Sequence, residues 1–334
     1  MISITHDRPL GGSNTFGMRV SCRLFIEYDR PEDLLNLDFE NIPQPVKHIG
    51  SGSNLLFTGD FRGTILHSKV DFIERLSDDL FSVGAGVEFD RFCEFAANEE
   101  LWGPENLSLI PGEVGAAAVQ NIGAYGVEAK DIIKTVHAFD TINKEFVKFD
   151  VSECGYGYRE SRFKGDDKDR FIITHVVFGL SREPRPRLDY SKALGGSLKS
   201  DPSLTPKKVR EAVIAIRKEK LPDPAETGSA GSFFKNPVIS MDAFERIASK
   251  SDAEVPHYKV SDGLVKVPAA WLIEQCGWKG RRLGGAAVWA KQPLVIVNAD
   301  GNASPREIMD LEEQIRSSVR GKFGVTLDCE VEHL

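Results

Sequence analysis

An α+β fold of two or three small domains is what the sequence predicts, on three observations. The chain has 334 residues, and domains run to roughly 100–200 residues each. Its first part is rich in short apolar runs broken by glycine, which read as strands. Past Leu221-Pro222-Asp223-Pro224 helices alternate with strands, without the regular βαβ order of a Rossmann sheet.

In chain order, 46–49 reads as a buried strand running into Gly50-Ser51-Gly52-Ser53-Asn54. Residues 64–66 and 80–83 read the same way, the second entering Gly84-Ala85-Gly86. A short helix spans 90–98, with Phe92, Phe95 and Ala96 at helical spacing. The block 111–126 shows little periodicity of either kind. Residues 146–151 alternate, Val147, Phe149 and Val151 on one face against Lys148 and Asp150, as a half-buried strand does. Residues 171–178 are β-branched and aromatic, a further strand.

The proline-rich 182–203 reads as a long loop. Thr205-Pro206 opens a helix, threonine as N-cap and proline in the first turn, with Val209, Ala212, Val213 and Ile216 as its buried stripe. It stops at 221–224, where a domain boundary is expected. Beyond lie an acidic capping box at Asp242-x-x-Glu245, a helix from Pro268 to Gly277 and a buried strand at 294–297. Ser304-Pro305-Arg306-Glu307 starts a helix whose inner face is Ile308, Leu311, Ile315 and Val319, to about Gly321. A last strand covers 325–331.

Composition narrows the function classes. Hydrophobic residues at 41% and charged residues at 28% suit a globular protein with a sizeable core. Forty-two basic against fifty acidic side chains give −8, which argues against a nucleic-acid backbone as the main partner and leaves room for a local basic pocket for one phosphorylated small molecule. No apolar run reaches the roughly 18 residues of a membrane helix, and MISITHDRPLGGSN lacks the apolar stretch of a secretory signal. Cys22, Cys93, Cys154, Cys276 and Cys329 are scattered and never in a C-x-x-C pair, which suits a reducing cytoplasm. P-loop and H-E-x-x-H patterns are missing, the histidines (His48 and His175 among them) are isolated, and no metal site is expected.

Five motifs carry chemistry. In Gly50 to Asn54, glycines admit close approach of an anion, and N–H groups with Ser and Asn side chains can cradle a pyrophosphate; Leu55 replaces the third glycine of the dinucleotide fingerprint, and a plain tight turn is the alternative. The block PGEVGAAAVQNIGAYG suits a backbone lying flat on a ligand, with Gln120, Asn121 and Tyr125 as donors or acceptors, or equally a buried loop. Arg159 in Tyr156-Gly157-Tyr158-Arg159-Glu160-Ser161 can polarise a carboxylate or enolate, or simply stack on tyrosine. The segment 228–237 forms a rigid turn presenting Ser232, Lys235 and Asn236; no G-x-S-x-G elbow is present, so Ser232 suits a proton donor rather than a nucleophile. Glu330 is one carboxylate in an apolar strand, either a site residue or the exposed side of an edge.

Taken in order, these motifs resemble one family, the UDP-N-acetylenolpyruvoylglucosamine reductases, flavoenzymes of cell-wall synthesis. The matching stretches are 14–17, 50–54, 111–126, 158–161, 220–224, 231–237, 269–280, 284–287 and 330–331, spanning nearly the whole chain. The segment carrying Tyr190 looks like the tyrosine loop of the family's type I branch. The resemblance implies an α+β FAD-binding fold of the vanillyl-alcohol oxidase type with a C-terminal α+β substrate domain. Its expected divisions are FAD-binding subdomains at 1–68 and 69–218, a substrate domain at 219–322, and a terminal strand, 323–334, returning to the second subdomain.

By the same resemblance FAD meets Gly50, Ser51, Gly52, Ser53, Asn54, Pro111, Gly112, Gly115, Ala116, Gln120, Asn121, Gly123, Ala124 and Tyr125. Arg159, Ser232 and Glu330 fall on catalytic positions, and Tyr190, Lys220, Asn236, Lys279 and Gln292 on or near substrate positions. NADPH is the implied co-substrate and the enolpyruvyl ether of UDP-N-acetylglucosamine the implied substrate. Hydride would pass from flavin N5 to C3, Ser232 would protonate C2, and Arg159 with Glu330 would stabilise the developing charge. With neither histidine nor cysteine in 111–126, the FAD is expected to be non-covalent. A monomer with neither nucleic-acid nor membrane partners is expected. One departure is Asp328-Cys329 before Glu330, where many relatives have Glu-Pro. A different FAD oxidase of the same fold, or a non-catalytic nucleotide-binding protein, is the alternative; the joint presence of Arg159, Ser232 and Glu330 speaks against both.

Overall fold

Residues 1–190, 192–196, 198–251 and 254–334 are described by a computed structural model. Met1–Pro9, Ser21–Ser51 and Phe61–Lys218 form one unit; Leu10–Val20, Gly52–Asp60 and Glu219–Leu334 form another.

The first unit carries two larger sheets. One has the order Ile2–Pro9, Ser21–Tyr28, Phe61–Ser68, Val46–Ile49, the first pair antiparallel and the other two parallel. Leu24, Ile26, Tyr28 and Leu66 pack under it with Leu34 and Leu37. The other is antiparallel throughout, in the order Glu145–Asp150, Ile133–Asp140, Phe171–Gly179, Leu80–Gly84, Ile73–Arg75. Helix Phe89–Asn98 presses Phe92 and Ala96 onto it, with the Phe92 and Phe178 ring centroids 4.6 Å apart. The expected alternation holds at the edge strand, where Phe149 is buried and Lys148 and Asp150 are exposed.

Helix Pro206–Lys220 starts as its sequence predicts, Thr205 Oγ1 accepting from the Lys208 N–H at 3.3 Å. Val209 and Val213 pack with Trp102, Leu188 and Leu194. Arg210 of the same helix pairs with Asp90 on Phe89–Asn98, Nη2 donating to Oδ2 at 3.0 Å. Burial would raise the Asp90 pKa, but Arg210 and the Leu109 N–H outweigh it and hold the carboxyl below its usual range.

The second unit has an antiparallel sheet in the order Gly228–Ser232, Val295–Asn298, Ala286–Val288, Arg282–Leu283, and a smaller one in the order Val238–Ser240, Leu264–Lys266, Tyr258–Ser261. Helix Pro305–Phe323 has the expected capping box of Ser304 and Glu307, and its predicted inner face is fully buried. It runs past Gly321 and ends at Gly324, whose φ of 68° takes the left-handed C-cap. Among the described residues no helix is long and apolar enough to cross a membrane.

Four expectations need correction. The block 111–126 contains a helix, Val114–Gln120. Its Gly115 lies where a Cβ would stand 2.9 Å from Ala85 Cβ, so close packing selects glycine there despite its poor helix propensity. Helix Met241–Ala248 is capped by Ser240, whose Oγ accepts from the Ala243 N–H; Asp242 lies inside its first turn. Residues 325–331 do not form a strand, because their backbone groups are taken up by a turn: Phe234 bridges Cys329, and Lys235 N donates to Asp328 O at 2.8 Å. The terminal strand is only Glu332–His333, parallel to Leu55–Leu56 within the second unit rather than joined to 69–218.

Candidate active site

In the first unit strand Val46–Ile49 delivers Gly50 against the start of helix Val114–Gln120. A Cβ on Gly50 would stand 3.1 Å from Glu113 Oε2 and 3.3 Å from Ala116 Cβ. Beside it the Ser51 hydroxyl is buried with no hydrogen-bond partner among the described residues. Leaving a buried donor unsatisfied costs about 1–3 kcal/mol, and a phosphate oxygen satisfies it. Glu113 would oppose such an anion, but its Oε1 is 2.9 Å from His67 Nε2, and His67 Nδ1 is 3.2 Å from Glu27 Oε1. Burial alone would lower the His67 pKa; its bonds to Glu113 and Glu27 outweigh that and raise it.

The glycine-rich block follows. Gly112 accepts from the Phe89 N–H and is left-handed at φ 125°, after Pro111. The helix ends after Gln120 at Asn121, fully buried at φ 47°, whose Nδ2 donates to Gly157 O at 2.7 Å and whose Oδ1 accepts from the Lys130 N–H at 3.0 Å. Gly123–Ala124 pairs with Val127–Glu128, with Tyr125 (φ 48°) in the turn. Arg159, itself at φ 57°, reaches into this block: Nη2 donates to Gly123 O at 2.5 Å and Nη1 to Asn121 O at 3.4 Å. It is therefore a positioned side chain, and its Cζ also stands over the Tyr158 ring, 5.7 Å from the centroid. The exposed Tyr190 ring stands edge-on to Tyr125 at 6.0 Å, and Asn106 Nδ2 holds the Tyr125 and Arg187 carbonyls at 2.9 and 2.7 Å.

One residue in this neighbourhood escapes the sequence reading. Arg217 donates from Nε to Leu109 O at 3.2 Å, and both Tyr125 and Arg159 act on it electrostatically. Burial, with the Arg159 charge, pulls its pKa below that of an ordinary arginine. It lies four residues after Val213, so a charge on the apolar stripe was the available signal.

In the second unit Gly52 has φ 69°, and a Cβ there would stand 2.3 Å from Ser13 O. After Ser53, Asn54 Nδ2 donates to Glu330 O at 3.1 Å and Asn54 O accepts from Glu332 N at 3.0 Å. Ser232 ends strand Gly228–Ser232 opposite Val295. The next residue, Phe233, is anchored by its buried ring, and its carbonyl accepts from Glu330 N at 2.9 Å. Ser232, Glu330 and Asn54 thus share one small neighbourhood, and Glu330 is buried. Asn236 Oδ1 accepts from Ala269 N at 2.9 Å, fixing the start of helix Ala269–Gln275. Lys220 is exposed, its carbonyl accepting from Trp289 Nε1 at 3.0 Å. Lys279 is engaged by Glu274 at 2.7 Å, and the Gln292 carbonyl accepts from Val295 N at 3.0 Å. Arg159 belongs to the first unit and Ser232 and Glu330 to the second.

Known proteins match this chain along its length. Residues 40–145 match the FAD binding domain model, and residues 223–334 match the C-terminal domain model of UDP-N-acetylenolpyruvoylglucosamine reductase. The chain is 46% identical over 323 residues to the UDP-N-acetylenolpyruvoylglucosamine reductase of Bacteroides fragilis, covering 95% of this chain and 96% of that protein. It is 44% identical to the enzyme of that name from Porphyromonas gingivalis, over the full length of both. The crystal structure of the Thermus caldophilus reductase superposes with a TM-score of 0.70 at 23% identity, covering 100% of this chain and 98% of that one. The fold is the expected α+β fold with an FAD-binding domain, shared over its whole length with that reductase. The unsatisfied Ser51 hydroxyl and the glycine-cleared turn around it fit the phosphates of the cofactor that such a domain binds.

Proposed function

The chain belongs to the UDP-N-acetylenolpyruvoylglucosamine reductase family of FAD oxidoreductases, and we propose that it reduces UDP-N-acetylglucosamine enolpyruvate to UDP-N-acetylmuramate for peptidoglycan synthesis, as a cytoplasmic monomer using NADPH. The observation that supports this reading is the hydrogen bond from Glu330 N to Phe233 O, which ties the buried Glu330 to the residue that follows Ser232. A generic FAD oxidase of this fold needs no such pair.

FAD, held by 50–54 and the 111–126 block, supplies when bound the transfer of a hydride from NADPH to C3 of the enolpyruvyl group. The protein's residues deal with the charge and proton that this leaves. Negative charge spreads over C2 and its carboxylate, and Arg159 and Glu330 are assigned to stabilise it. Ser232 gives its hydroxyl proton to C2. Lys220, Asn236 and Gln292 are assigned to the nucleotide-sugar, with Lys279 recruited by exchanging Glu274 for a diphosphate oxygen. The test is anaerobic: NADPH should bleach the yellow protein, and the enolpyruvyl substrate should restore the colour. Bleaching without substrate-driven recovery would reject the assignment.

Two further outcomes follow from the residues. Acid precipitation should release all the yellow colour into the supernatant, since the 111–126 block carries no histidine or cysteine to form a covalent link; colour kept in the pellet would contradict this. Tyr190→Phe should weaken nucleotide-sugar binding by about 10–100-fold, as for loss of a hydrogen bond to a charged group of ~1.5–3 kcal/mol. NADPH binding should change far less, because only the nucleotide-sugar is assigned to Tyr190, whose side chain is exposed. Equal losses for both ligands, by titration of the flavin spectrum, would remove Tyr190 from the substrate site.

A further inference from the structure

Near the C-terminus of the chain three side chains outside the proposed chemistry converge. Cys329 Sγ lies 2.9 Å from Glu312 Oε1, and His333 Nε2 lies 3.2 Å from Glu312 Oε2. One ligand atom from each of the three falls within 4.8 Å of the other two. At zinc bond lengths of about 2.0–2.3 Å, ligand atoms around a tetrahedral ion stand roughly 3.3–3.8 Å apart. The cluster therefore reaches that geometry by side-chain adjustments of about 1 Å or less. Thiolate sulfur, imidazole nitrogen and carboxylate oxygen are the donors that zinc takes together, and three protein ligands leave a fourth position for water.

The supports differ in a useful way. Glu312 is buried on helix Pro305–Phe323, which fixes one ligand on a rigid element. Cys329 is half-buried and His333 exposed, which gives an ion a path in. Cys329-x-x-x-His333 is the only trace of the cluster in the sequence, and with one cysteine and one histidine it fell short of a metal motif. One group opposes an ion: Arg316 Nη1 stands 3.5 Å from Glu312 Oε1. Its side chain is partly exposed and can swing into solvent.

We propose that Glu312, Cys329 and His333 form a binding site for one zinc ion, which staples the C-terminal segment to helix Pro305–Phe323. Binding exchanges the thiol proton of Cys329 for the metal, and the proton leaves to solvent. The carboxylate binds as the anion and the imidazole through a neutral nitrogen. Glu330 lies between the two outer ligands, so the ion pins the segment that carries it. The binding itself does not depend on the proposed reaction.

Cobalt(II) is the coloured probe for this site. Chelator-treated holoprotein titrated with cobalt should develop d–d absorption to the red of the flavin bands, saturating at one ion per chain, and zinc should displace it. Cys329→Ser and His333→Ala should each weaken cobalt binding by more than the ~10–100-fold that loss of an outer-shell partner costs. His333 is exposed, so its variant tests the site without threatening the fold. Arg316→Ala should tighten binding. Hydrogen exchange with and without zinc should show protection of 325–334. Absence of the red absorption, or unchanged affinity in both ligand variants, would overturn the site; binding without protection of 325–334 would overturn the staple. None of these readouts uses turnover, so failure of the proposed reductase activity would leave them standing.

Discussion

Ser232→Ala is expected to leave reduction of the flavin by NADPH at its wild-type rate and to slow reoxidation by the enolpyruvyl substrate by at least ~10²–10⁴-fold, the range for a positioned general acid. The first half-reaction needs no proton at C2, whereas the second cannot finish without one. Ser232→Cys should recover part of the loss, since a thiol still donates. Ser232 closes strand Gly228–Ser232, so the competing explanation is structural: the variant loosens the Phe233-Phe234 turn. In that event both phases slow and both ligands bind poorly. Stopped-flow absorbance of the flavin, following reduction and reoxidation in turn, separates the two. Equal slowing of both phases, or none of reoxidation, would end the general-acid role.

Gly52→Ala should strip the protein of FAD. The residue is left-handed at φ 69°, which costs an L-residue about 1–2 kcal/mol. The new methyl would also stand 2.3 Å from the backbone oxygen of Ser13, which cannot rotate away. Overpacking of this kind adds about 1–3 kcal/mol. Together that is ~2–5 kcal/mol, and at 1.4 kcal/mol per tenfold it predicts FAD affinity reduced by roughly 30-fold to a few thousand-fold. Gly59→Ala is the control, because nothing lies within 4 Å of a Cβ there. Flavin fluorescence titration of the apoprotein reads the affinities, and a Gly52→Ala protein that binds FAD like the control would refute the clash.

Much of the fold was legible because it rests on periodicity. The alternation at Val147 and Phe149, the stripe of Val209 and Val213, and the Ser304–Glu307 capping box each follow from local chemistry. Helix Val114–Gln120 was not legible, since Gly115 is dictated by Ala85 thirty positions earlier. Nor was the path of residues 325–334. An apolar run at 325–331 reads as a strand, yet its hydrogen bonds go to the Phe233–Lys235 turn, a partner that no local pattern reveals. The candidate site divides the same way. Glycines of the 50–54 loop and the turn at Ser232 announce themselves by composition. The Glu113–His67–Glu27 chain, Arg217 beside Tyr125, and the meeting of Glu312 with Cys329 and His333 exist only once distant segments are folded together.

That Asn54 holds the Glu330 carbonyl across 276 positions sets a schedule for biogenesis. Ribosomes add roughly 5–20 residues per second, so Asn54 leaves the exit tunnel many seconds before its partner is made. Contacts this distant in sequence also form slowly. A nascent chain can assemble the sheets of its first unit early, while Asn54 stays without its C-terminal partner until residue 330 has emerged. On the proposed role of 50–54, flavin capture is then a late, essentially post-translational event. A polypeptide interrupted upstream never becomes yellow, and flavin content in a cell extract counts finished molecules.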